Sequence, residues 1–309
     1  MKIDNFALTM FQTCPAKYFL RMHEGWTSKR KSGALGFGGA LHEGLATWYR
    51  TRDKGQALLA IDEAWPANLP IDDWRTKEKC LQTMIEYMKH YPVETFKIIG
   101  LPDTPLVEQT FTIHTGMYLP CERAGCVVAT NKDEEWCLCG LKREPIEYGG
   151  IFDTGVEWAG NEYVLEHKTT SQLGTYYFNQ FKPNNQVTGY LWALGQLTGR
   201  KPSGAIINAI GLYKSSPTKF ERSITTRSDE DITHWLENVR ATCQMIKDCE
   251  RRQFWPMHTQ ACTMYGKCEY HDVHVLGAKA EQEKFLEQMF TKEPWSYEHR
   301  DEAKEGASA

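Results

Sequence analysis

Asp153, Glu166 and Lys168 fall within GGIFDTGVEWAGNEYVLEHKTTS, residues 149–171, where two strand-like stretches flank a Gly-Asn pair. Gly-Asn is a two-residue turn signal, so the segment is expected to be a β-hairpin turning at Gly160 and Asn161. Ala159 then pairs with Glu162, and counting outward sets Asp153 directly opposite Lys168. Glu166, two residues from Lys168, shares its face and lies diagonally from Asp153. A bulge or a longer loop would shift that register. Two carboxylates and an ammonium on one sheet face suit a salt-bridge cluster, the better reading of so short a pattern taken alone. They also suit a hard divalent cation. Carboxylate oxygens fit Mg2+ or Mn2+, which keep several waters and accept phosphate oxygens as further ligands. A lysine beside such an ion can orient or deprotonate an attacking water and screen charge on a phosphodiester.

Helical and strand patterns on either side must position these groups. Residues 6–24 read as helix, with Pro15 able to start a second one after a break. GFGGALHEGLATWYRT continues as helix, with Leu41, Leu45 and Trp48 on one side and His42 on an adjacent one. Two further helices are expected over residues 55–65 and 73–91. PLVEQTFTIH alternates like a strand, as do the two halves of the hairpin. NNQVTGYLWALGQLTG returns to helix and ends at Gly199, and its Gln186 and Tyr190, four apart, share a face. SGAIINAIGLYK and KFERSITT form another strand pair, and an amphipathic helix over 229–252 and a last helix over 277–290 follow.

The order of these motifs resembles the PD-(D/E)XK nuclease superfamily, in its RecB-like exonuclease branch, which includes the nuclease domains of RecB and AddB and the CRISPR-associated RecB-like exonucleases. GIFDTGV and YVLEHKTTS match the family's strand-borne Asp and ExK elements, GALHEG its helix-borne histidine, and NNQVTGYLWAL its QxxxY helix. The resemblance implies an α/β, restriction-endonuclease-like core, a mixed central sheet flanked by helices; an N-terminal helical region and a cysteine-rich hairpin insertion complete the expected fold. It implies Mg2+ or Mn2+ held by His42, Asp153, Glu166 and the His167 backbone carbonyl, with Lys168, Gln186 and Tyr190 completing the catalytic set. It further implies DNA as substrate, taken at an end or as a single strand, with a recombination or helicase protein as partner. A noncatalytic DNA-binding scaffold and a structure-selective endonuclease stand as alternatives. Lys29, Arg30, Lys31, Arg251 and Arg252 are candidate contacts to a nucleic-acid backbone, though such runs are usually solvated surface.

The cysteines divide into three sets. Cys80, Cys243 and Cys249 lie in helical patterns and read as small buried apolar residues. LTMFQTCPAKYFLR resembles the helix motif of family members whose first cysteine, here Cys14, holds an iron-sulfur cluster with three cysteines near the C-terminus. Cys262 and Cys268 match two of those, but His274 stands where the last is expected. The set could hold a 4Fe-4S cluster with one imidazole ligand or a Cys3His zinc, His271 being a spare ligand, or it could have lost its metal. Cys121, Cys126, Cys137 and Cys139 form a CxxxxC then CxC pattern, open between a second structural zinc and a loop with free thiols.

A chain of 309 residues, 25% of them charged, can bury a sizeable core, and a net charge of -4 argues against coating nucleic acid through global charge. The start, MKIDNFALTMFQTCPAKYF, has no basic segment followed by an apolar one, and no apolar run is long enough to span a bilayer. A cytoplasmic protein without membrane attachment is expected, in which ten cysteines do not make a disulfide framework. The expected division is a helical region over 1–95 carrying Cys14 and His42, and a core sheet with the QxxxY helix over 96–228, interrupted by the insertion at 115–145. C-terminal helices with the metal-binding segment follow over 229–298, and a disordered tail over 299–309.

Overall fold

Short polar residues cap five helices among the described residues, and they set where the chain enters each one. In the computed structural model, which describes residues 1–30, 32–67, 73–100, 104–121, 134–264 and 266–297, strand β1 (Lys2–Asp4) leads into helix α1 (Asn5–Thr13). Asp4 caps α1 by accepting the Ala7 amide at 2.7 Å. Pro15 opens α2 (Pro15–Tyr18), which runs into a π-helical turn, and β2 (Trp26–Ser28) follows. Next come α3 (Gly33–Thr51), α4 (Lys54–Ala64) capped by Asp53, and α5 (Lys77–His90) capped by Thr76. Strands β3 (Lys97–Ile98), β4 (Val107–Tyr118), β5 (Pro145–Trp158) and β6 (Asn161–Thr170) precede α6 (Asn185–Thr198). Asn184 caps α6, and Gly199, at φ 69°, ends it. Strands β7 (Gly204–Gly211) and β8 (Lys219–Thr225), helices α7 (Asp229–Arg252), α8 (His271–Val275) and α9 (Lys279–Met289), and strand β9 (Phe290–Lys292) complete the order.

The chain divides into two units, and β5 passes through both. One unit comprises Arg30–Gln109 and Ile151–Ile232. Its mixed sheet has the order β3, β5, β6, β7, β8, with β6 and β7 parallel and the other neighbours antiparallel. The parallel pair is joined through α6, as a crossover requires. Every residue of β7 is buried, as befits a central strand covered on both faces. On one face, Val156, Leu165, Ile206 and Ile210 pack with Phe37, Leu41, Leu45, Ile61 and Met84 of α3, α4 and α5. Close approach of α3 to α4 depends on Gly44, where a Cβ would come within 2.6 Å of Ile61. This is the mixed α/β architecture, with helices flanking a mixed sheet, that the sequence leads one to expect.

The hairpin turns one residue earlier than the Gly-Asn signal suggests. Ala159 and Gly160 occupy the turn, both in the left-handed region at φ 51° and 78°, and Trp158 pairs with Asn161. Two positive φ values make the type I′ geometry whose twist matches the strands. The register therefore runs Thr154↔Leu165, so continuing it sets Asp153 against Glu166 rather than Lys168. Moving a two-residue turn by one position changes every partner by two, which keeps each β6 side chain on its expected face.

The second unit comprises Met1–Lys29, Thr110–Gly150 and Thr233–Ala309. Here β1 runs parallel to the start of β5, with Ile3 beside Tyr148. Trp235 of α7 stacks edge-on against Tyr148, ring centroids 4.8 Å apart. Strands β2 and β9 pair antiparallel beside a small cluster of Leu20, Tyr270, Val273, Leu286 and Phe290. Three-residue strands such as β1, β2 and β9 carry no periodicity, and none was expected from the sequence. Lys31, Cys126 and the tail over 299–309 lie outside the described residues. Among the described residues no helix is long and apolar enough to cross a membrane.

Candidate active site

Four elements bring the predicted charges together where the β5–β6 ladder stops. Past Thr154↔Leu165, the His167 amide donates to the Asp153 carboxylate, at 2.7 Å to Oδ2. The other oxygen, Oδ1, meets His42 Nδ1 of α3 at 3.2 Å. Lys168 Nζ donates to Glu166 Oε1 at 2.6 Å and to Gln186 Oε1 of α6 at 2.9 Å, and Gln186 Nε2 donates to the Tyr190 hydroxyl at 3.3 Å. All five side chains of the expected catalytic set, and His42, therefore stand in one site. Glu166 is 1% exposed, and its Oε2 has no hydrogen-bond partner among the described residues. A buried, unpaired carboxylate oxygen is costly unless a cation or a donor completes it.

Glu108 is the residue that the sequence reading missed. It sits near the start of β4, buried, with φ 48°, and its carboxylate, that of Asp153 and an imidazole nitrogen of His42 all lie within 4.8 Å of one another. Two hard carboxylates and one imidazole around one point suit Mg2+ or Mn2+. A lone glutamate 45 residues before Asp153 has no spacing to mark it. Its one signal is a charge inside the apolar start of PLVEQTF. The left-handed backbone, uncommon outside glycine and asparagine, is strain of the kind found at functional sites.

The charges at the site are mutually dependent. Burial works against the His42 imidazolium, but adjacent Asp153 outweighs it and pushes the pKa up to about 9. Burial likewise opposes the Asp153 carboxylate, yet His42, by charge and hydrogen bond, brings it well below the usual range. For Glu166, burial and then the charge of Asp153 push the carboxyl up, with Lys168 offsetting part of the rise. Lys168 is held above its ordinary value despite burial, by Glu166 and then Asp153, and so stays an ammonium.

Between Glu166 and Lys168, His167 points to the opposite face, into a buried polar network. Its ring stacks on Tyr49, centroids 5.4 Å apart, and burial pulls its pKa down to about 3. The neutral ring accepts at Nδ1 from Asn208 Nδ2 at 2.7 Å, and the same amide donates to the Tyr87 hydroxyl at 3.0 Å. Arg222 Nε donates to Asn208 Oδ1 at 3.0 Å, and its other nitrogens reach Glu94 at 2.7 and 2.8 Å. The network fixes the middle residue of the ExK run from behind, as outer partners fix metal ligands elsewhere.

The cysteine sets differ in geometry. Cys14, Cys262, Cys268 and His274 line one cavity of about 170 Å³ together with Lys17 and Lys267. Soft thiols and an imidazole kept neutral by burial and by His271 suit an iron-sulfur cluster or zinc. His271, the spare candidate, pairs with Asp272 at 3.2 Å. The thiols of Cys121, Cys137 and Cys139 instead converge directly, all three sulfurs within 4.8 Å of one another. Two of the basic candidates are engaged within the protein. Lys29 donates to the Glu287 and Gln288 carbonyls at the end of α9, at 2.9 and 2.8 Å, and Arg251 pairs with Asp248 at 2.6 Å.

The family model of the PD-(D/E)XK nuclease superfamily matches residues 6–273. No curated protein matches the sequence at a significant level. Among solved structures, one from Eubacterium rectale, described as "Putative exonuclease", is 12% identical, covering 90% of this chain and 89% of its own, with a TM-score of 0.51. That likeness is one of fold. A second, described as SSO0001, is 11% identical over 76% of this chain and 83% of its own, at a TM-score of 0.28, too loose to bear on the fold.

Proposed function

Because the chain belongs to the PD-(D/E)XK nuclease superfamily, we propose that it is a metal-dependent deoxyribonuclease, working as an exonuclease on DNA ends or single strands in recombination, repair or phage DNA metabolism. The observation that carries this reading is the convergence of His42, Glu108 and Asp153 beside the Glu166–Lys168 pair. The motif order shared with the RecB-like branch favours an exonuclease, as does the description of the Eubacterium rectale protein.

His42, Glu108, Asp153 and Glu166 would hold the ion, with the His167 carbonyl completing its shell. Once bound, Mg2+ or Mn2+ supplies Lewis acidity toward the phosphodiester and the water that attacks it. Lys168, kept protonated by its carboxylate neighbours, donates to the water or to a nonbridging phosphate oxygen and offsets charge gathering there. Gln186 accepts from that ammonium and donates to Tyr190, so the two are positioning residues that aim Lys168. The Cys14, Cys262, Cys268 and His274 set would bind its cluster or zinc for structure, and a brown colour absorbing near 400 nm in anaerobically purified protein would distinguish iron from zinc.

The test is cleavage of end-labelled linear and closed circular DNA, single and double stranded, with Mg2+ or Mn2+, beside Asp153→Ala and Lys168→Ala. Loss of linear DNA with survival of circles, and two dead variants, supports the exonuclease. Nicked or linearised circles indicate an endonuclease at the same site. Variants as active as the parent overturn the assignment.

A further inference from the structure

The nuclease chemistry makes no use of the insertion that joins β4 to β5, yet that insertion carries a group of converging sulfurs. Cys121 follows the end of β4, while Cys137 and Cys139 precede the start of β5. None of the three is in a disulfide. Arg143, 3% exposed, ties the two stems together. Its guanidinium donates to the Tyr118 and Leu119 carbonyls on one stem, at 3.2 and 2.9 Å, and to the Glu134 carbonyl on the other at 2.9 Å. Backbone bonds from Leu119 to Glu144 and from Arg143 to Glu135 close the same frame at 2.9 and 2.8 Å. A tight turn then aims two of the thiols. The Gly140 amide donates back to the Cys137 carbonyl at 2.8 Å, and Gly140 takes φ 81°, which costs a glycine nothing.

The resulting spacing selects the ligand. Cys121 Sγ and Cys139 Sγ are 3.5 Å apart, and all three sulfurs lie within 4.8 Å of one another. A disulfide needs about 2.05 Å. A tetrahedral zinc with Zn–S bonds of about 2.3 Å spaces its sulfurs by roughly 3.8 Å. Soft sulfur donors are suited to zinc and ill suited to the hard cation of the active site. Among its described residues the segment leaves large apolar side chains in solvent: Leu138 is 86% and Trp136 57% exposed. A bound ion can replace a core that so short a segment cannot build.

We infer that Cys121, Cys137 and Cys139 bind a structural zinc ion that locks the two stems of the insertion together. The fourth tetrahedral position belongs to a ligand beyond these three; Cys126 lies outside the described residues. The site shares no residue with the active site or the Cys14 cavity, and its metal is read out without any nuclease assay.

The test uses the full chain, expressed with zinc, purified under reductant, and measured for metal content by mass spectrometry. Three proteins are compared: the parent, Cys262→Ser with Cys268→Ser, and Cys121→Ser with Cys139→Ser. The Cys262/Cys268 variant, with the insertion intact, is expected to retain about one equivalent of zinc, and the Cys121/Cys139 variant to lose one equivalent relative to the parent. Cobalt added to the zinc-stripped Cys262/Cys268 variant should give the near-ultraviolet absorption of thiolate-to-cobalt charge transfer, a measurement that does not depend on a hairpin variant folding. An unchanged zinc content in the Cys121/Cys139 variant, a zinc-free Cys262/Cys268 variant, or no cobalt–thiolate band overturns the proposal.

Discussion

His42, Glu108 and Asp153 converge as closely as Cys121, Cys137 and Cys139, but the two groups are built by opposite means. The first rests on a helix and two strands backed by an apolar core, with Leu41 and Leu45 beside His42 wholly buried. The second rests on a tight turn and one buried arginine, with Trp136 and Leu138 facing solvent. Where a core already holds the ligands, an ion adds chemistry and little shape. Where the described residues expose their apolar side chains, a bound ion would supply the shape. The sign of charge follows the same division. The active site gathers carboxylates at the cost of a raised Glu166 and an imidazolium at His42, whereas the insertion gathers soft thiols.

The contrast can be broken most decisively at Asp153. Asp153→Ala should lower cleavage by about 10³-fold, the loss of several kcal/mol of charge stabilisation, while the melting temperature moves by no more than a few degrees. Unfolding of that variant would mean that the carboxylate holds the fold and not only the ion. Next in size, Glu108→Gln keeps the shape and removes the charge, and should weaken Mn2+ binding by about 100-fold in calorimetry. Binding equal to the parent would remove Glu108 from the site. Third, an ion needs the neutral imidazole of His42, whose proton is held to about pH 9 in the metal-free protein. Mn2+ affinity should therefore rise about tenfold per pH unit from 6 to 9, with proton release seen as a buffer-dependent binding enthalpy. A flat profile would show that His42 is not a ligand. A smaller effect is expected from Asn208→Ala, which frees the His167 ring and should cost Mn2+ affinity up to about tenfold. Last, Cys121→Ser with Cys139→Ser should leave the Mn2+ titration within about twofold of the parent while increasing amide exchange over residues 134–141. A large drop in Mn2+ affinity there would join the two sites that the comparison keeps apart.

The hairpin charges were legible because strand pairing is local, and a misplaced turn was forgiven because its error was an even one. Gly160 drew attention to the turn, but Ala159 accepts the left-handed conformation that Gly-Asn counting assigned elsewhere. Gln186 and Tyr190 could be paired from helical spacing alone, and the structure finds them hydrogen-bonded. Glu108 could not, because it comes from a separate strand and nothing in its neighbours encodes a φ of 48°. The network behind His167 was equally hidden. Tyr49, Tyr87, Glu94, Asn208 and Arg222 come from five separate segments, and only the packed fold brings them into one network.

Glu108 also sets a trap for anyone improving this protein by selection. A glycine there would relieve the left-handed backbone, worth on the order of 1–3 kcal/mol. A library screened for heat resistance alone should enrich that replacement, and its winners would be robust proteins that have surrendered their metal. Selection at this position must therefore reward turnover and endurance together, since the residue that makes the backbone uncomfortable is the one whose carboxylate stands within 4.8 Å of His42 and Asp153.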